Sequence, residues 1–423
     1  MEFRRREFMA ASGLSVSTLL LAAACGGGSN SGSGAGSSAD LSILTPEFAG
    51  TTGAEAFEGQ ILSGFEGASF AVDYTPWGRL NEKLSAGVSG GVAADLIMLG
   101  VGWVEPFGHK GVLAELPESL GEGNAISENL FRSCRYDGSL FALPYFVDGR
   151  ILPYHKPMLE DAGISEDQLP TNLEDFREML KEVKPDGGVG IDVFSGNFLR
   201  QVWAHLITCF GGTMFSEDGR QVTFADSPGV DALQYILDLV ADGTASYEVQ
   251  GAEGQPTPWQ QEKAAFAFMN STFWPAFVEE TPDLVTPEHM GMMLLPSADG
   301  GDPVMFQGGT LLTMSARSEH QEQVQELIGH LLEPENMLTA VAEVGKVPAR
   351  SDLDDPIISE NRMAEYIIEN FQYATAYEGG SPAWMEIRGN VIPELEKAVL
   401  GQQTAQQAVD TLAAGAQDAI SRL

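Results

Sequence analysis

The stretch 141–156, FALPYFVDGRILPYHK, decides how this chain is built. It holds two short apolar runs of β character on either side of Asp148-Gly149, with Pro144 restricting the backbone and Phe141, Tyr145, Phe146 and Tyr154 crowded around the break. An Asp-Gly pair between such runs predicts a hairpin turn. A strand that stops and restarts is also how a chain leaves one α/β lobe and enters another. The stretch alone allows both readings, and the segments around it decide between them.

On its N-terminal side, residues 41–44 (LSIL) predict a strand, followed by a loop carrying Glu47 and Phe48 and a helix through Phe57, Ile61, Leu62 and Phe65. Residues 70–74 predict a second strand, 80–88 a helix, and 95–99 (DLIML) a buried third strand that runs into Gly100-Val101-Gly102-Trp103-Val104-Glu105. Strand, helix, strand, helix, strand predicts a parallel sheet, in which ligands collect at the carboxyl ends of strands. Those ends carry Glu47, Phe48, Trp103 and Glu105.

On its C-terminal side, Thr171-Asn172-Leu173-Glu174 has capping-box spacing and opens a helix to about Val183. Ser227-Pro228 starts another, with Val230, Leu233, Leu237 and Val240 on one face and Gly243 as its stop. Between them, the apolar segment 194–215 carries Asn197, Arg200, Gln201 and Trp203 at its start, and Trp203 reads as core. Residues 264–269 predict a buried strand ending in Asn270-Ser271-Thr272-Phe273-Trp274, and 290–296 another. Residues 306–312 predict a strand with a bulge, where Gly308-Gly309 lets a backbone or a ligand come close. Ser318 with Gln321, and Thr404 with Gln407, cap two further helices.

A chain of 423 residues exceeds what one hydrophobic core usually organises, which predicts two lobes. Its 60 acidic against 23 basic residues give a net charge of −37 and exclude nucleic acid as partner, because phosphate contact needs a basic patch. Arg outnumbers Lys, which fits a surface solvated at high salt or simply an acidic exported protein. Cys134 and Cys209 fit no disulfide framework and are expected as buried free thiols. The chain contains no HExxH, GxSxG or Walker loop and no metal-spaced histidines, and no cofactor is expected.

Residues 1–24 have the basic start, short apolar segment and small-residue end of an export signal. Arg5-Arg6-Glu7-Phe8-Met9 is similar to the twin-arginine consensus, with Arg4 where Ser or Thr is usual, so a Sec-type signal stays open. Leu21-Ala22-Ala23-Ala24-Cys25 resembles the bacterial lipobox, which implies acylation of Cys25. Residues 25–39 are a Gly/Ser tether.

In their order, the lipobox, LSIL with its acidic-aromatic loop, DLIML before a Gly/Trp loop, LPYFVDGRILPYHK, FAFMNSTFW, MMLLP with FQGGTLL, and VGKVPARSD resemble bacterial extracellular solute-binding proteins of family 1, the maltose-binding-protein-like group. The resemblance covers nearly everything from Cys25 to the C-terminus. It implies a two-lobed α/β periplasmic-binding-protein-like fold, each lobe a mainly parallel sheet flanked by helices, with a multi-segment hinge. The implied lobes are 40–146 with 304–346, and 147–303 with 347–423, with crossings at 144–149, near 297–306 and near 345–350. Two departures stand out: Tyr154-His155-Lys156 where the family usually has Tyr-Asn-Lys, and Gly102-Trp103 where several sugar binders carry an acid, with Glu105 as the substitute.

The resemblance further implies a monomeric capture subunit that hands a carbohydrate to the permease subunits of an ABC importer and is held to the membrane through Cys25. Sugar rings present an apolar face and a hydroxyl rim, so a site needs flat aromatics and groups that donate and accept hydrogen bonds. The expected faces are Trp274 and Trp384, then Phe48, Trp103 and Phe146. The expected rim partners are Glu47, Asp148, Asn197, Arg200, Gln201 and Asn270, with Glu105, backbone groups of Gly308 and Gly309, and Arg388 on the face of Trp384. Arg350 is read as a hinge ion pair. The rival readings are a binding protein for a glycerophosphodiester or peptide, which needs an arginine clamp, and a secreted acidic glycoside hydrolase.

Overall fold

The computed structural model describes residues 39–47, 50–91, 93–195, 198–249, 255–344 and 346–423. The export signal, Cys25 and most of the tether lie outside them, as do Phe48, Asn197 and Gly345. The strands are β1 (Ala39–Pro46), β2 (Ala68–Thr75), β3 (Leu96–Gly100), β4 (Arg135–Tyr136), β5 (Ser139–Leu140), β6 (Ala142–Arg150), β7 (Leu152–His155), β8 (Val189–Asp192), β9 (Ala264–Ala267), β10 (Met290–Met293), β11 (Met305–Met314), β12 (Val347–Pro348) and β13 (Ala374–Ala376).

The deciding stretch is a passage between sheets, and Asp148-Gly149 is not its turn. β6 runs unbroken through both residues, paired antiparallel to β11 with Asp148 opposite Gly308 and Gly149 opposite Gln307. Gly149 is there for space, since a Cβ would lie 2.7 Å from Ile367 Cγ2. The chain changes sheet one residue after Arg150, at Ile151.

Two sheets result. The first has the order β12-β6-β11-β3-β1-β2, with β13 beside β11, and the second β10-β7-β9-β8. The expected βαβαβ unit is present, with β1 parallel to both β2 and β3. Both sheets are nevertheless mixed: β3, β11, β6 and β12 pair antiparallel in sequence, and in the second sheet only β8 and β9 are parallel. The cause is the crossings, because a strand entering from the other lobe meets the sheet from the opposite end.

The crossings also move the expected lobe boundaries. A break between Phe146 and Val147 would cut β6, whose backbone groups are paired on β11 as far as Arg150. Val347 and Pro348 pair with Val147 and Phe146, so the chain stays with the first sheet at 347–348. It returns once more as β13 and passes into the second lobe only through 377–383, where the helix Trp384–Val399 begins.

Three apolar cores follow. One fills the first lobe around Leu96, Leu99, Leu312 and Leu327, and one the second around Phe176, Trp203, Phe266 and Leu395. The third straddles the crossings through Val147, Ile151, Met305, Val347 and Ala374. In the helix Leu173–Val183, residues Leu173, Phe176, Met179, Leu180 and Val183 are buried at helical spacing, each worth about 1.5–3 kcal/mol. Its cap is Asn172, which accepts from the Asp175 N–H at 2.9 Å. Thr404 and Gln407 form the expected capping box. Ser318 does not cap its helix; it donates to Asp95 at 2.6 Å, and the helix Gln321–Leu331 starts after His320. Cys134 and Cys209 are free and buried, and burial pushes both thiols up. Among the described residues no helix is long and apolar enough to cross a membrane.

Candidate functional site

Side chains from both lobes converge where β6 leaves the first sheet. Asp148 and Arg150 lie at the end of β6, and Asn270 follows β9 of the second sheet. The Asn270 Nδ2 donates to Asp148 Oδ1, and Arg150 Nη1 stands 3.4 Å from that same oxygen. Asn270 Oδ1 accepts from the Thr272 hydroxyl at 2.6 Å, which holds the amide in this orientation. Arg150 is 3% exposed and places Nε and Nη2 on the Gln201 amide oxygen at 2.9 and 2.7 Å. Its guanidinium lies 4.1 Å from the centre of the Phe198 ring. Burial lowers the Arg150 pKa, opposed by Asp148 and Glu378.

A second cluster centres on Glu378, in the loop after β13. Arg200, on the helix Leu199–Cys209, grips both of its oxygens, with Nη2 at 2.9 Å from Oε1. Arg388, on the helix Trp384–Val399, places Nη2 3.5 Å from Oε1 and its guanidinium 5.4 Å over the Trp103 ring of the first lobe. The loop fits against Gly102, whose φ of 83° suits glycine. A Cβ at Gly102 would lie 1.9 Å from the Glu378 carbonyl oxygen. Glu105 is buried near this point, accepts from the Tyr377 hydroxyl at 3.5 Å and is pushed up to about 7 by burial.

The aromatic residues sort differently from expectation. Trp384 is fully buried against Phe215 in the second core, because it starts a long helix whose first turn seals that core. Phe146 lies 4.1 Å from Tyr145, ring centre to ring centre and tilted by 41°, inside the first core, and Trp103 is 3% exposed. None of these three offers a free ring face. Trp274, at the start of a short helix after Asn270, is half-buried. Gly308 and Gly309 are half-buried opposite Asp148 and Val147, and the close partner they admit is β6, since a Cβ on Gly309 would lie 2.0 Å from Phe146 O. Glu47 is exposed just past β1, its N–H donating to Thr75 O at 3.1 Å. Arg350 forms an ion pair, but a local one, with Asp352 two residues on at 2.9 and 2.7 Å, in a segment that stays with the first sheet. Trp203 is core, with its indole N–H on Gly229 O at 2.9 Å.

Four residues join the site without having been singled out by sequence. Arg150 stands inside the deciding stretch, and an arginine in an apolar strand is itself a signal. Glu378 precedes paired glycines, and Lys346 lies between apolar residues. Trp77, 39% exposed, holds the Trp103 ring edge-on at 6.3 Å, and Lys346 Nζ lies 5.7 Å over its face.

Two α/β lobes joined by crossing strands, with interdigitated polar groups and aromatic walls between them, define a binding protein that encloses a small solute. The family model of the bacterial extracellular solute-binding proteins matches residues 51–338, and the chain belongs to that family, which binds solutes and is exported. The diacetylchitobiose binding protein DasA of Streptomyces coelicolor is 26% identical over 345 residues, 77% of either chain. The galactooligosaccharide-binding protein of Bacillus subtilis is 23% identical over 350 residues, 80% of either. Among solved structures, the sugar-binding protein MalE from Xanthomonas citri superposes with a TM-score of 0.76 at 18% identity, covering 90% of this chain and 98% of that one.

Proposed function

We propose that this protein captures a sugar or oligosaccharide between its lobes and delivers it to the permease subunits of an ABC importer. The observation that carries this reading is the meeting of Asp148 and Arg150 of the first sheet with Asn270 and Gln201 of the second lobe, with the half-buried Trp274 four residues beyond Asn270. Carboxylate, amide and guanidinium groups suit a hydroxyl rim, and the indole suits a ring face. The relatives named for diacetylchitobiose and galactooligosaccharides support a saccharide over other solutes.

Ligand contacts from both lobes favour the closed arrangement, and affinity shifts the hinge only as far as the ligand prefers closed over open. Arg200 and Arg388 join that closure through Glu378, while Glu47 and Asn197 serve the hydroxyl rim and Phe48 a ring face. The protein acts as a monomer. Residues 1–24 direct export, Cys25 carries the lipid, and 25–39 tether the lobes to the outer face of the cytoplasmic membrane.

A thermal-shift screen of the full chain against mono-, di- and trisaccharides tests this. A specific ligand at a hundredfold excess over Kd adds about 2.7 kcal/mol, a visible rise in the midpoint. The rise should vanish in Trp274→Ala. A panel of saccharides that leaves the midpoint unmoved counts against sugar capture.

A further inference from the structure

The interlobe site inverts the charge of the chain around it. Four cations meet there, Arg150, Arg200, Lys346 and Arg388, against two carboxylates, Asp148 and Glu378. In a chain with 60 acids to 23 bases, an excess of two positive charges gathered between the lobes runs against composition.

Arg200 is matched by Glu378, but the other three cations are not fully satisfied. Arg150 turns two donors to a neutral amide, and its Nη1, 3.4 Å from Asp148 Oδ1, makes no hydrogen bond although the side chain is only 3% exposed. Arg388 Nε is likewise buried without a partner. Among the described residues, Lys346 has no carboxylate within ion-pair distance; its Nζ lies 5.7 Å over the Trp77 ring, and Asp148 acts on it only at longer range. Buried donors left open are costly unless a ligand completes them. Burial lowers the pKa of Arg150, Lys346 and Arg388, and the opposing effect of Asp148 on the first two and of Glu378 on Arg150 and Arg388 is the smaller one.

We infer that the captured saccharide carries an anionic oxygen group, a carboxylate or a phosphate ester, which binds between Arg150, Lys346 and Arg388. The inference rests on the sugar-capture reading and narrows its substrate class. The negative body does not oppose it at contact range, since charges farther than roughly 8 Å are screened at physiological salt, whereas a buried guanidinium is not. Planar guanidinium donors match both carboxylate and phosphate oxygens.

Calorimetry on the full chain compares galacturonate and digalacturonate with galactose and galactobiose, and glucose phosphate with glucose. The acidic member of at least one pair should bind about tenfold tighter or better, and which pair does so separates carboxylate from phosphate. Lys346→Met should cut that preference several-fold and Lys346→Arg should keep it, with thermal midpoints measured on both to exclude misfolding. Neutral sugars binding as tightly as their acidic counterparts would overturn the inference and leave sugar capture standing. Silence toward both kinds would remove the inference together with the reading beneath it.

Discussion

Replacing Glu378 by glutamine keeps the shape of the side chain and removes the one charge that holds Arg200 and Arg388 together. The three side chains are 10%, 15% and 25% exposed, so water cannot replace what is lost. Each guanidinium lies within 4 Å of the carboxylate, where a pair of charges near a protein surface is worth about 4 kcal/mol gross. Deleting one partner of such a buried group leaves uncompensated charge and costs about 3–5 kcal/mol net. Because the amide oxygen still accepts from Arg200, the lower end of that range is expected. Urea unfolding of the full chain, followed by tryptophan fluorescence, measures it. Glu118→Gln is the control: its pair with Arg135 is 38% and 60% exposed, and its loss should cost less than about 1 kcal/mol and shrink further in salt. If Glu378→Gln costs no more than Glu118→Gln, the cluster is solvated and the account of the interlobe contact is wrong.

Two further outcomes follow from the same region. The folded Glu105 carboxyl, raised to about 7, stays protonated where the unfolded one near 4.5 ionises, so its contribution is present at low pH and is lost as pH rises from about 4.5 through 7. His155 and His205, both lowered to about 4 by burial, act in the opposite sense up to about 6.5, so the difference between Glu105→Gln and the parent is the quantity to plot. That difference should grow by about 3 kcal/mol in favour of the variant between pH 4.5 and 7; a flat difference rules out a buried carboxyl. Gly102→Ala puts a Cβ at a φ of 83° against Glu378 O, a strain of about 1–3 kcal/mol borne where the lobes touch. Calorimetry should find affinity for the best saccharide about tenfold weaker or more, and an unchanged Kd would mean that the ligated state does not use this contact.

The local elements were legible in the sequence because they answer to local rules. Period-two and period-3.6 patterns placed β1, β2, β3, β9 and β11 and the helices after Asn172, at Ser227 and after Thr404. Polar residues in the loops and helix starts singled out Asp148, Arg200, Gln201, Asn270 and Arg388, and these side chains take part in the interlobe contacts. Aromatic roles were not legible in the same way. A tryptophan at the start of a helix has the same local pattern whether its ring seals a core, as Trp384 does, or stands half-open, as Trp274 does.

By itself, then, the sequence determined that the chain is an acidic two-lobed α/β protein, because composition and hydrophobic period act through neighbours in the chain. Only the tertiary structure decided where the chain changes lobes and which charges meet. Asp148-Gly149 has the residues of a turn, yet pairing along β11 keeps it extended, in register with Gly308 and Gln307. Lys346, Glu378 and Arg150 are far apart in sequence, and the excess positive charge they form with Arg200 and Arg388 arises only when β6, the loop after β13 and two helices of the second lobe are brought to one place.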